Sequence, residues 1–208
     1  MQDKKLMSDS YQYIDSDFIY TDLESGVLKN LQGITNKEEL IFVESSAVTK
    51  RLKELYENPI KIKGFESIFV IHKHLFQDVY EWAGKKRTVE ISKDGKQFFP
   101  TTHFDNAYRY IDSLITEYRE ILKSNRKQLA NKLAEILDHV NYFHPFREGN
   151  GRTQREFLRL LALEKGIVLR LNPPDNKSVY ERYMKGAVES DIMVLSKLIF
   201  ELIESAAI

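Results

Sequence analysis

LANKLAEILDHVNYFHPFREGNGRTQREFLRLLAL, residues 129–163, reads as helix, loop, helix. Leu129, Leu133, Ile136, Leu137 and Val140 recur at helical spacing, so the first part has one apolar face. His144-Pro145 ends that helix. Thr153 to Leu163 is helix-prone again, which places the start of the next helix near Gly151 or Arg152. Gly166 is its natural C-terminal cap.

The helical pattern continues outward. On the N-terminal side, Ala107, Ile111, Leu114, Ile115, Tyr118 and Leu122 form one stripe. A helix is expected from about Phe65 to Val79, with Ile68, Ile71, Leu75 and Phe76 inward. Another should open at the capping box Thr35-Asn36-Lys37-Glu38 and run to about Tyr56, stopped by Asn58-Pro59. Two more, at about 177–188 and 190–204, finish the chain. Residues 1–30 are polar and tyrosine-rich without a period, and read as an N-terminal arm. One segment departs from helix. Thr88, Val89 and Ile91, then Lys93-Asp94-Gly95, then Gln97, Phe98 and Phe99 predict a β-hairpin at about 86–99. The expected fold is all-α with a small β-hairpin flap. A lone hairpin is marginal in water unless something packs on it.

Composition bounds the chemistry. The 208 residues carry 42% hydrophobic and 12% aromatic side chains, which excludes general disorder. There is no cysteine, so disulfides, thiolate zinc sites, iron–sulfur clusters and a cysteine nucleophile are out. Lys+Arg and Asp+Glu both number 31, and a dedicated nucleic-acid binder would carry a basic excess. No apolar run approaches the ~18 residues of a membrane span. The first ten residues lack a signal-peptide core. The expectation is a soluble intracellular protein with no nucleic-acid or membrane partner.

Residues 144–155 carry the chemistry. Gly149-Asn150-Gly151 feeds straight into a helix, whose N-terminal N–H groups and dipole make an anion cradle. Arg152 and Arg155 share a face of its first turn, as a polyphosphate would require. Glu148 beside such a site would repel phosphate unless a cation such as Mg²⁺ lay between. His144 can take a proton from a hydroxyl near neutral pH. Each feature alone has an ordinary structural reading; their coincidence within twelve residues points to nucleotide transfer onto a hydroxyl.

HPFREGNGRTQR, residues 144–155, resembles the Fic signature, His-Pro-Phe-x-(Asp/Glu)-Gly-Asn-Gly-Arg-x-x-Arg, at every fixed position. Asp22 to Asn36, Asn58-Pro59-Ile60 and His74 to Gly84 are similar to further Fic segments, so the resemblance covers about residues 20–200. It implies a Fic-type helical bundle at 31–208 after the arm at 1–30, using ATP and Mg²⁺ to place AMP on a Ser, Thr or Tyr hydroxyl of a target protein. By position, His144 would be the base and Glu148 the metal ligand. Phe146, Arg147, Gly149, Asn150, Gly151, Arg152, Thr153, Gln154 and Arg155 would form the nucleotide site, with Phe146 anchoring the loop in the core. Ile91, Ser92, Lys93, Asp94 and Gly95 of the flap would dock the target. The family's inhibitory pattern, (Ser/Thr)-x-x-x-Glu-(Gly/Asn), fails at Thr35 to Glu39 because Leu40 follows. That resembles the class restrained by a separate small antitoxin, some relatives of which are effectors delivered into host cells. Another phosphate-ester transfer, such as phosphorylation or UMPylation, is the alternative chemistry, and a non-catalytic interaction module the alternative class.

Overall fold

Leu129, Leu133, Ile136, Leu137 and Val140 are all buried, and the helix that carries them is the axle of the molecule. The computed structural model describes residues 11–14, 18–93 and 95–205; Asp94, at the expected flap tip, lies outside them. Among these are seven α-helices: α1 (Lys37–Glu57), α2 (Ser67–Phe76), α3 (Phe104–Glu120), α4 (Arg126–Phe143), α5 (Asn150–Leu163), α6 (Lys177–Glu189) and α7 (Ile192–Ser205). Helix α4 packs on α3, α5, α6 and α7, while α2 joins α5 to α1. No helix among the described residues is long and apolar enough to cross a membrane.

Local chemistry sets the helix ends. The N-cap of α1 is Asn36, whose side chain accepts from the Glu39 N–H, rather than the expected Thr35 one residue earlier. Asparagine is the stronger cap, which decides between neighbours. Asn125 caps α4 in the same way, accepting from Gln128 N–H. After α5, Gly166 adopts φ +72 and the Ile167 N–H returns to the Ala162 carbonyl at 3.1 Å. The expected glycine cap is therefore present as a two-bond termination.

The flap is the predicted hairpin with one further strand added. Strands β2 (Glu90–Lys93) and β3 (Lys96–Gln97) form the predicted hairpin, with Ser92 opposite Gln97. A third strand, β1 (Tyr11–Ile14), pairs antiparallel with the other edge of β2, Tyr11 opposite Lys93 and Ile14 opposite Glu90. The sheet order is β1-β2-β3. Four residues are too few to show a period, so the strand was not visible in the sequence. Its physical role is plain: a third strand stabilises a hairpin that is marginal alone. The stretch between β1 and α1 is also stitched to the body. Val27 is in the core, and the Leu31 N–H donates to the Val79 carbonyl at 2.9 Å.

Leu137→Ala should lower unfolding free energy by about 2–5 kcal/mol, since its side chain is fully buried and the cavity cannot collapse inside a five-helix contact. Chemical denaturation checks this; a change under ~0.5 kcal/mol, the size of a surface substitution, would contradict the assigned core.

Candidate active site

The loop from His144 to Gly149 turns the chain between α4 and α5, and both ends of it are left-handed. His144 caps α4 at φ 45, and Gly149 caps α5 at φ 81. A Cβ on Gly149 would run into the Phe76 ring, so the position needs glycine twice over. Phe146 is fully buried, its ring stacked 3.7 Å from His72. The Asn150 side chain closes the loop on itself. Its Oδ1 accepts from the Phe146 N–H at 2.9 Å and its Nδ2 donates to the Phe146 carbonyl at 2.7 Å. The first intrahelical bond of α5 runs from Thr153 N–H to the Gly149 carbonyl. The N–H groups of Asn150, Gly151 and Arg152 therefore precede the ladder, which is the anion cradle expected from the sequence.

His144 is buried, its ring stacked 3.8 Å from Phe98 at the end of the flap. Its Nδ1 lies 3.1 Å from the Asn141 carbonyl. A carbonyl only accepts, so Nδ1 carries the proton and Nε2 is the basic nitrogen. Burial pushes this imidazole down to about 3, with the cations Arg87 and Lys93 adding to the shift against the Asn141 bond. His72 has the opposite tautomer: Nδ1 accepts from the Gly84 N–H at 2.8 Å and Nε2–H donates to the Glu148 carbonyl at 3.0 Å. Burial pushes it down to about 3 as well.

Glu148 and the two arginines line the cradle. Glu148 Oε1 accepts from the Gly149 N–H at 2.8 Å and lies 3.5 Å from Arg152. Arg152 also pairs with Glu44 of α1 at 2.5 Å and lies over the Phe76 ring. The Tyr80 hydroxyl donates to the other oxygen of Glu44. Arg155 lies 5.6 Å from the rings of Tyr180 and Tyr183, with no carboxylate at ion-pair distance among the described residues. Both arginines line a cleft of about 280 Å³ with Tyr56, Arg170, Leu171 and Pro173.

Two expected site residues sit behind the cradle rather than in it. Thr153 is fully buried and donates its hydroxyl to the Gly149 carbonyl at 2.9 Å. Gln154 is buried too and donates to the Tyr183 hydroxyl at 2.5 Å. Arg147 is buried just before Glu148. Of the flap residues, Ile91 is buried, Ser92 and Lys93 are half-buried, and Gly95 is exposed at φ 78.

Three contributors escaped the sequence reading. Glu44 gave no signal, being one carboxylate on a charged helix. His72 had one, since it occupies the inward stripe of α2 one residue after Ile71. Arg87 looked like the end of a solvated Lys85-Lys86-Arg87 run but is buried. Its Nε donates to the His144 carbonyl at 2.8 Å, Nη1 to Val89 O at 2.6 Å and Glu90 Oε2 at 3.3 Å, and Nη2 to Phe99 O at 2.5 Å.

The Fic/DOC family profile matches residues 64–162. The protein adenylyltransferase VbhT of Bartonella schoenbuchensis is 38% identical over 156 residues, which are 74% of this chain and 33% of that protein. A probable protein adenylyltransferase of Sinorhizobium fredii is 31% identical over 165 residues, 79% of this chain and 83% of that protein. The chain belongs to the Fic/DOC family. It spans about a third of VbhT, and most of the Sinorhizobium relative. The crystal structure of the effector BepC of Bartonella tribocorum, solved with bound AMPPNP, superposes with a TM-score of 0.77 at 19% identity. That match covers 89% of this chain and 96% of the BepC chain, which shows that the two share an overall fold.

Two outcomes follow from the loop. Gly149→Ala should destabilise the fold by about 1–3 kcal/mol through backbone strain, before any effect on a ligand, as thermal melting will read. The second concerns acid. The histidines His72 and His144 sit near 3 in the folded state against 6.5 ordinarily, so on acidification the unfolded chain takes up protons first. Their contribution to stability is complete above pH 6.5 and is lost as pH falls toward 3. Denaturant midpoints across that window should fall, and less steeply in His72→Leu; equal slopes would remove His72 from the acid response.

Proposed function

We propose that this chain is a protein adenylyltransferase that moves AMP from ATP onto a hydroxyl of a target protein. The observation that carries the reading is His144, held with Nε2 basic on the loop that leads into an unladdered helix N-terminus, within the complete 144–155 motif. The names of the two relatives support the same activity. The AMPPNP bound to BepC supports ATP as the donor.

The cradle N–H groups of residues 150–152 receive phosphate oxygens, and Arg152 and Arg155 reach the outer ones from the adjoining cleft. The residues fit Mg²⁺. Glu148 holds one oxygen on the Gly149 N–H, its other oxygen has no partner among the described residues, and its side chain is 37% exposed. No cluster of three metal-ligating side chains occurs among the described residues, which suits a cation that takes one carboxylate and completes its shell with phosphate oxygens and water. When bound, it would neutralise phosphate charge beside Glu148.

The acceptor hydroxyl gives its proton to His144 Nε2. The oxygen then bonds to the α-phosphorus as the bond to the β-phosphate oxygen breaks, and pyrophosphate leaves. Burial and two cations keep the imidazole neutral before substrate arrives, so the base form is present at neutral pH. The bound phosphates bring negative charge that favours the imidazolium as it forms. The target segment docks by strand addition to the flap. Strand β2 has β1 on one side and β3 on the other, so the outer edges are those of β1 and β3, and the β3 edge, at Lys96 and Gln97, is the one next to Phe98 and the base. Docking at that edge would lie beside the expected docking residues, which run from Ile91 to Gly95. Arg155, which has no carboxylate at ion-pair distance among the described residues, is the place for a glutamate from a small antitoxin-type partner. The chain acts in the cytoplasm or, as a secreted effector with toxin activity, in a host cell.

The test is labelling of lysate proteins with α- and γ-labelled ATP. Label from the α position alone is expected. His144→Ala should lower the rate ~10²–10⁴-fold while leaving the fold intact. Label from the γ position would replace the reading with phosphoryl transfer.

A further inference from the structure

Arg87 has a fully enclosed side chain, so it cannot touch nucleotide or target. Its guanidinium nevertheless joins three separate pieces of the site. Nε donates to the carbonyl of His144, the residue that bears the base. Nη1 donates to Val89 O, where the chain enters the flap, and Nη2 to Phe99 O, where it leaves. The Arg87 backbone N–H donates to Pro145 O at 2.8 Å, so the same residue grips the motif loop twice. The ring of Phe104 lies 4.9 Å from the guanidinium and closes the remaining side. A charged group is expensive to bury unless its hydrogen bonds are made, and here four of five donors are placed on loop and flap rather than on a helix.

We propose that Arg87 is a positioning residue for the transfer reaction: one planar fork fixes the distance between the general base and the flap that presents the acceptor. The proposal rests on the reading of His144 as the base. Both roots of the flap and the His144 loop hang on one rigid group, so a target strand bound to the flap arrives in register with Nε2. Lysine cannot substitute, because an ammonium is a point donor and three carbonyls from three directions need a fork. Arg87 also has an electrostatic effect. The charged groups facing His144 among the described residues are Arg87, from below the flap, and Lys93, from β2; both oppose the imidazolium. The Phe98 ring on the flap and the Asn141 carbonyl on α4 complete its surroundings.

The experiment compares Arg87→Lys and Arg87→Met with the parent by kinetics, by melting, and by imidazole NMR of His144 on the full chain without nucleotide. Arg87→Lys keeps the charge and loses the fork. It should lower kcat about 10²-fold, as displacement of a reacting group by roughly an ångström does, with KM for ATP unchanged and the His144 titration close to that of the parent. Arg87→Met removes the charge as well, and His144 should then titrate at higher pH, with the acid limb of the rate moving the same way. Parent kcat in folded Arg87→Lys overturns the proposal. So does a loss that merely tracks the unfolded fraction seen in melting. If the parent transfers no AMP while His144 still titrates at higher pH in Arg87→Met, the adenylyltransferase reading falls and the hold of Arg87 on His144 stands. If transfer proceeds in the parent and His144 titrates in Arg87→Met as it does in the parent, the proposal falls and the reading stands.

Discussion

Everything in this molecule depends on keeping the six residues from His144 to Gly149 in one shape. The loop starts with a left-handed residue that is not glycine, a conformation that costs roughly 1–2 kcal/mol. Hydrogen bonds from charged donors contribute about 1.5–3 kcal/mol each, and the Arg87 fork supplies one to the His144 carbonyl. The strain is therefore outweighed locally. Phe146 beneath the loop, stacked on a neutral His72, adds a buried aromatic contact. His72 in turn donates to the Glu148 carbonyl, so α2 holds the loop from one side while the flap root holds it from the other. The catalytic geometry is set by these supports rather than by α4 or α5 alone.

The apolar stripes of α3, α4 and α5 were readable because their leucines and isoleucines repeat within a few residues, and periodicity is a local property. The cradle was readable for the same reason: glycine, asparagine and glycine before a helix announce it in a single stretch. The supports were not. Arg87 reaches across 57 residues to His144, and Arg152 meets Glu44 from a different helix. Such pairs have no local signature, since a buried arginine and a solvated one look alike in sequence. Strand β1 failed to register for a further reason. Strand pairing is decided by the partner edge, and four residues carry too little pattern to announce it. Thr153 and Gln154 show the converse: they stand inside the motif, yet their place on α5 turns their side chains inward, which the motif alone does not announce.

The charge balance also conceals an arrangement. A chain with equal numbers of acids and bases still gathers Arg152, Arg155, Arg159 and Arg170 around one cleft. Arg159 is neutralised within its own helix by Glu156, with three hydrogen bonds, and lies over the Tyr56 ring. Arg152 is shared between two glutamates. Arg155 is left with aromatic faces alone among the described residues, so no carboxylate there offsets its charge. Net charge says nothing of this, because a field is made by geometry.

In the proposed docking mode, the short β3 strand sets how long a guest can stay. Its open edge offers two residues, Lys96 and Gln97, to an incoming strand. At about 0.5–1.5 kcal/mol per backbone bond, two such bonds give about 1–3 kcal/mol, short of the ~4.1 kcal/mol that even millimolar affinity requires. A segment captured there is soon released. That favours repeated turnover over sequestration, and it means that partner choice is made by proximity: a second contact elsewhere on the target, raising its effective concentration at the flap, decides which hydroxyl is seen often enough to react.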